Sequence, residues 1–391
     1  MKHPVIVSAA RTPIGSLQGK LSGLSATRLG SIVIQEVLKR AQLQEAQVEE
    51  VIMGNVLAAG LGQAPARQAA LGAGLPHEIS CMTINKVCGS GLKAVMCAAQ
   101  AIMAGDVDIV VAGGMESMSN APYLLMKARA GYRMGSGELV DSMIHDGLWD
   151  AYNQFHMGAA GEICARTLEI SRAEQDEFAI ASYQRALKAQ AQEDFKRELV
   201  SVSVPSESLE NTVISADEEP KRVNFAKLSQ LKPAFESNGS ITAGNASSIS
   251  DGAAAVVVMS EEKARALGLK PMAKIIGYTA YGTEPAWFTT APAKAILSLL
   301  QRTGRSVASV DLFEINEAFA VCSIAVNREL GLDPGKVNVR GGAIALGHPL
   351  GASGARILTT LLHALEDLDL RRGVASLCIG GGEAIAMMVE R

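Results

Sequence analysis

Two cysteines and a histidine stand where their chemistry is usable. Cys88 lies in Asn85-Lys86-Val87-Cys88-Gly89-Ser90-Gly91, just ahead of an apolar pattern at helical spacing. A helix N-terminus offers unpaired N–H groups and partial positive charge, which lower a thiol pKa and favour the nucleophilic thiolate. Free cysteine is also among the most often buried residues, so Cys-Gly by itself equally describes a packed side chain at a tight turn. His348 is a candidate partner. It is the one histidine in the small-residue run from Gly341 to Gly354, where it can take a proton or polarise a carbonyl. The surrounding glycines cost stability unless something, such as a ligand, approaches the backbone closely. Cys378 ends an apolar run at Gly380-Gly381-Gly382, and open α/β sheets place ligands beyond strand C-termini. Asn316, in Asn316-Glu317-Ala318-Phe319-Ala320, serves either as a helix N-cap or as an amide that orients a water or carbonyl.

Positioning these groups requires alternating elements. Short apolar runs of strand length recur at Pro4–Ser8, Val51–Gly54, Val107–Ala112, Ala253–Met259, Asp311–Ile315, Ala375–Ile379 and Ala384–Val389. Between them lie helical patterns such as Leu92, Val95, Met96, Ala99, Ile102 and Met103. A weak internal repeat sets the architecture. Ser90-Gly91-Leu92-Lys93 recurs as Ser353-Gly354-Ala355-Arg356, and Val111-Ala112-Gly113-Gly114-Met115-Glu116 as Cys378-Ile379-Gly380-Gly381-Gly382-Glu383, in the same order. Two related halves are implied. From about Ser119 to Ser248 the texture changes to Met- and Gly-rich turns, an amphipathic stretch Ser171–Arg197 and a polar segment Ser201–Arg222, which reads as an insertion.

Composition bounds the function. The chain has 391 residues, two or three domains at roughly 150 residues each. Hydrophobic residues make up 48% and charged residues 19%, so a core forms without staples. With 36 basic against 40 acidic residues, net −4, a nucleic-acid backbone is excluded as the main ligand. The six cysteines, Cys81, Cys88, Cys97, Cys164, Cys322 and Cys378, show no metal-finger spacing; free thiols suit a reducing cytoplasm and no metal is expected. No signal-peptide core and no run of 18 uninterrupted apolar residues is present, so a soluble cytoplasmic protein without a membrane partner is expected. No G-x-G-x-x-G follows the first strand, which disfavours dinucleotide binding.

The segments around Cys88, Asn316, His348 and Cys378 resemble the four active-site segments of the thiolases. The opening Ser8-Ala9-Ala10-Arg11-Thr12-Pro13-Ile14-Gly15 and Thr242-Ala243-Gly244-Asn245-Ala246-Ser247 match as well, so the resemblance runs the length of the chain. It implies an α/β thiolase fold of two pseudo-symmetric βαβαβαββ halves, layered α/β/α/β/α, with an inserted loop domain. Residues 1–118 plus 249–270 would form the first half, 119–248 the insertion, and 271–391 the second half. It also implies ping-pong Claisen chemistry on coenzyme A thioesters: two acetyl-CoA give acetoacetyl-CoA and CoA through an acetyl-cysteine. Cys88 would be the nucleophile, His348 its base, Cys378 the α-carbon base and Asn316 the holder of a water, with the backbone at Gly380 binding the acyl oxygen. Phe155-His156-Met157-Gly158 resembles the acetoacetyl-CoA-type, bacterial biosynthetic members. Leu148, His156, Met157, Phe235, Ala243, Ser247, Ala318 and Phe319 would then wall the acyl and pantetheine pocket.

The sequence departs from the family pattern at Ser248, at Arg340, and at Pro220, where relatives often place an arginine against the adenine; Arg222 is the nearby basic candidate. The resemblance further suggests a cytoplasmic homotetramer in fatty-acid metabolism, with Met115–Asp141 between dimers and no permanently bound cofactor. A degradative thiolase of broader chain length is the alternative. A cysteine hydrolase would leave Cys378 without a role, and a catalytically silent carrier would leave all three reactive groups unexplained.

Overall fold

A computed structural model describes residues 2–205 and 211–391; 206–210, inside the polar segment Ser201–Arg222, lie outside the described residues. The first half runs β1 (Pro4–Arg11), α1 (Ala26–Arg40), β2 (Glu50–Gly54), α2 (Pro65–Gly72), β3 (Ser80–Ile84), α3 (Ser90–Ala104) and β4 (Ile109–Ser117). An insertion carrying α4 (Met157–Thr167) and α5 (Arg172–Ala191) precedes its last strand, β5 (Ser250–Ser260). The second half repeats the order with β6 (Ala273–Gly282), α6 (Ala291–Thr303), β7 (Leu312–Ile315), α7 (Ala320–Leu330), α8 (Leu350–Asp367), β8 (Arg372–Ile379) and β9 (Glu383–Glu390). Its third strand shrinks to one parallel bridge, Phe313 with Val337.

The strands follow the order β7-β8-β9-β6-β1-β5-β4-β2-β3. Within the sheet the two halves join where Val5 and Ile6 of β1 face Lys274 and Ala273 of β6. Side chains alternate across each sheet. Val110 and Ala112 of β4 point to an inner core while Ile109, Val111 and Met115 pack outward with α1 and α2. Likewise Ile385, Met387 and Val389 of β9 point inward, and Ala384, Ala386 and Met388 outward toward α6 and α7. Helices α3 and α8 fill the inner core with Leu92, Val95, Ile102, Ile357, Leu361 and Leu365, giving five layers, α/β/α/β/α. That placement explains why Val87–Ala104 is as apolar as a membrane span, with mean hydropathy 1.4 over 18 residues.

All seven strands expected from the apolar runs are present, and the amphipathic stretch becomes α5, capped by Ser171, whose hydroxyl accepts from Glu174 N–H. Gly354, inside the run where ligand approach is expected, and its repeat counterpart Gly91 serve helix packing instead. A Cβ on Gly354 would stand 2.4 Å from the Leu92 nitrogen, and one on Gly91 2.8 Å from the Ala355 nitrogen. They let α3 and α8 touch backbone to backbone. The insertion is fastened by Arg11 of β1, whose buried guanidinium donates to Glu198 at 2.5 Å and to Asp217 at 2.6 and 2.9 Å. Arg340 approaches the same Glu198 at 4.0 Å and donates to Asp367 at 2.6 Å.

Candidate active site

A cavity of about 480 Å³ opens where the N-terminal ends of α3 and α8 meet the C-terminal end of β8. Cys88, His348, Cys378 and Gly380 line it. The insertion adds Leu148, His156, Met157, Phe235, Ala243 and Ser247, and the turn before α7 adds Ala318 and Phe319. Only two residues expected at the site, Asn316 and Arg222, do not line this cavity.

Cys88 is presented by a strained turn. Val87, a β-branched residue, holds φ +45°, a conformation costing on the order of 1–3 kcal/mol. The turn is braced by Ser90, whose Oγ accepts from Lys86 N–H at 2.8 Å and donates to the Val87 carbonyl at 2.7 Å. The sulfur faces the cavity but is otherwise enclosed by protein. Burial and the neighbouring Cys378 push the thiol up to about 12, against the lowering by the N–H groups of Gly380 and of Cys88 itself. The expected lowering by the helix start is therefore overturned: Cys88 sits two residues before α3, and desolvation outweighs the donors.

His348 is held at three points. Its N–H donates to the Ser248 carbonyl at 3.1 Å, Nδ1 lies 2.5 Å from Ser353 Oγ, and Nε2 lies 3.4 Å from Asn316 Nδ2. Gly347 before it has φ +106°, and a Cβ there would meet Ser250 Oγ at 2.3 Å, so only glycine makes this bend. Burial, aided by the Arg356 charge, pushes the imidazole down to about 3. Thiol and imidazole are thus both neutral across ordinary pH. Asn316 is not a helix N-cap, because α7 starts at Ala320 with Phe319 in the capping position. It is buried with Oδ1 unpartnered, which leaves an acceptor for a water.

Cys378 is buried at the end of β8; burial, aided by the Cys378 thiol, pushes the adjacent Cys322 well above the ordinary thiol range. His156 caps α4 by accepting from Gly158 N–H at 3.0 Å, and burial lowers its pKa. Its ring stacks on Phe235 at 4.7 Å, and Phe235 meets Phe319 edge-on at 5.9 Å, which makes a stiff aromatic wall. Ser247 donates from Oγ to the Ala318 carbonyl at 2.9 Å.

Arg222 is more than half exposed, 3.4 Å from Glu219, and lines a second hollow of about 250 Å³ with Tyr183, Lys227, Leu228 and Leu231. Ala243 borders both hollows, which places them next to each other. Two residues escaped the sequence reading. Glu116 accepts from Asn55 Nδ2, Val56 N–H, Leu57 N–H and Gly351 N–H at 2.7–3.1 Å, stapling the first half to the start of α8. Burial pushes it up to about 7. Ser353 holds His348. Both stand in the internal repeat, but their partners lie in tertiary structure that no local pattern announces.

A thiol, a neutral imidazole and a second thiol lining the same apolar cavity are the parts of a cysteine acyl-transfer centre built across two homologous halves. The thiolase N-terminal domain matches residues 4–262 and the thiolase C-terminal domain residues 269–391. The chain belongs to the thiolase family. It is 52% identical over 387 residues to the acetyl-CoA acetyltransferase of Schizosaccharomyces pombe, covering 99% of this chain and 98% of that one. It is 55% identical to acetyl-CoA acetyltransferase 1 of Arabidopsis thaliana, covering 98% and 93%. With the acetyl-CoA acetyltransferase of Pseudomonas aeruginosa it shares 52% over the full length of both chains.

Proposed function

We propose that this thiolase is an acetyl-CoA C-acetyltransferase, condensing two acetyl-CoA to acetoacetyl-CoA and CoA and running in reverse as thiolysis. The observation that carries the reading is the pair of thiols, Cys88 and Cys378, on one cavity with His348. Nε2 of His348 takes the Cys88 proton as the sulfur attacks the thioester carbonyl. The N–H groups of Cys88 and Gly380 bind the developing oxyanion, and Cys378 protonates the departing CoA sulfur. Cys378, now a thiolate, removes a methyl proton from the second acetyl-CoA. The enolate oxygen is held by Nε2–H of His348 and a water on Asn316. The carbanion then attacks acetyl-Cys88, the carbon–sulfur bond breaks, and the released thiolate recovers its proton from His348.

The pantetheine arm is assigned to the apolar cavity past Met157, Phe235 and Ser247, and the nucleotide to the second hollow, where Arg222 and Lys227 meet its phosphates. Residues 119–248 are read as the substrate loop domain, between a half of 1–118 plus 249–270 and a half of 271–391. The exposed Tyr123, Leu125, Met126, Met134 and Leu139 fit a contact between dimers in a homotetramer, tested by solution mass. Six free cysteines fit a reducing, cytoplasmic setting. The stiff aromatic wall favours short chains. Acetoacetyl-CoA is expected to be thiolysed at least tenfold more efficiently, in kcat/KM, than 3-oxooctanoyl-CoA; equal values would assign the protein to broad-chain degradation.

A further inference from the structure

We propose that Ser353 is a positioning residue that fixes the tautomer of His348, placing the ring proton on Nδ1 and leaving Nε2 bare to face the thiols. Ser353 Oγ lies 2.8 Å from the Pro349 carbonyl and 2.5 Å from His348 Nδ1. A carbonyl cannot donate, and two oxygens at that separation repel unless a proton lies between them. The hydroxyl proton therefore points at Pro349, and the serine lone pair accepts Nδ1–H. On the other side Asn316 Nδ2, at 3.4 Å, donates toward Nε2, which agrees with a bare Nε2. When Nε2 takes a proton, Ser353 still accepts from Nδ1–H, so the same contact serves the imidazolium.

The internal repeat supports a designed role for this hydroxyl. Its counterpart Ser90 donates to the Val87 carbonyl and accepts from Lys86 N–H, bracing the Cys88 turn. Each half thus uses its repeat serine to hold its own reactive loop against the helix that follows. In the second half the accepted N–H comes from the reactive side chain in place of the backbone.

The proposal rests on the acyltransferase reading, so the experiment has one arm that does not. In full-length protein carrying ¹⁵N-labelled histidine, with His348 assigned by its loss in His348→Asn, the spectrum should show Nδ1 protonated and Nε2 bare. A protonated Nε2 in the resting protein overturns the proposal, whatever the activity. Ser353→Ala should give a mixture of tautomers and slow Cys88 acetylation by roughly tenfold, the scale of one hydrogen bond to a developing charge, with KM for acetyl-CoA unchanged. Ser353→Cys, similar in shape with a poor acceptor, should behave the same, and Ser353→Thr should restore both readouts. Retention of the wild-type acetylation rate in Ser353→Ala, or slowing with an unchanged tautomer, overturns it. Absence of turnover in the wild type would instead fail the acyltransferase reading.

Discussion

Replacing Gly354 by alanine adds one methyl where α8 crosses α3. That methyl would lie 2.4 Å from the Leu92 nitrogen and 2.7 Å from Leu92 Cβ, whereas unstrained contacts begin near ~3.4 Å. Both close atoms belong to or adjoin backbone, so no side chain can swing aside, and the helices must part by about 1 Å. Such overpacking costs about 1–3 kcal/mol, partly offset by the ~1 kcal/mol that alanine gains over glycine in a helix. The larger effect is catalytic. Cys88 is carried by the start of α3 and His348 by the start of α8, so the same displacement opens the proton-transfer distance between them. A misplacement of about 1 Å is worth on the order of 10²-fold in rate. Gly282→Ala, where a Cβ meets nothing within 4 Å, is the control. Thermal melting and kcat for acetoacetyl-CoA thiolysis are measured on both. Wild-type turnover in Gly354→Ala would refute the view that this crossing sets the catalytic distance.

Cys88→Ala is expected to abolish acetyl labelling from acetyl-CoA; an acid-quenched peptide map showing the label on another residue would displace Cys88 as nucleophile. Cys378→Ala should still form acetyl-enzyme but lose carbon-bond chemistry by ~10²–10⁴. Near-normal deuterium entry into the acetyl methyl group would remove Cys378 as the α-carbon base. His348 is pushed down to about 3 from its ordinary 6.5, so the unfolded chain binds its proton first. The stability tied to this residue is present above pH 6.5 and lost as pH falls toward 3, by up to about 1.4 kcal/mol per pH unit. Chemical denaturation of His348→Asn between pH 7.5 and 4.5 should therefore show a shallower acid slope than wild type; equal slopes would contradict a buried neutral imidazole.

The sequence made the central strands legible because each is a short apolar run bounded by turn residues, and buried strands need nothing more. It concealed β3 and β6. Ser80-Cys81-Met82-Thr83-Ile84 is an edge strand with exposed positions, and Ala273–Gly282 interleaves Lys274 and Gly277 with its apolar residues. At the site, Cys88, His348 and Cys378 were legible because reactive side chains beside glycine-rich turns are uncommon and three of them recur in ordered segments. The protonation state of Cys88 was not, because a helix terminus is a local feature while desolvation depends on everything packed around the sulfur. Glu116 escaped for the same reason: a carboxylate in a strand reads as solvated until Gly351 is folded against it.

The position of β5 in the sheet has a consequence for synthesis. It lies between β1 and β4 and pairs with both, yet it is encoded after the whole insertion. Until Ser260 has left the ribosome, β1 has neither of its neighbours and β4 has an open edge lined with Val110, Val111 and Ala112. At 5–20 residues per second the intervening segment takes on the order of ten seconds to make. For that time the nascent chain displays a hydrophobic template for pairing with other strands, and the edge closes only when β5 is inserted between β1 and β4.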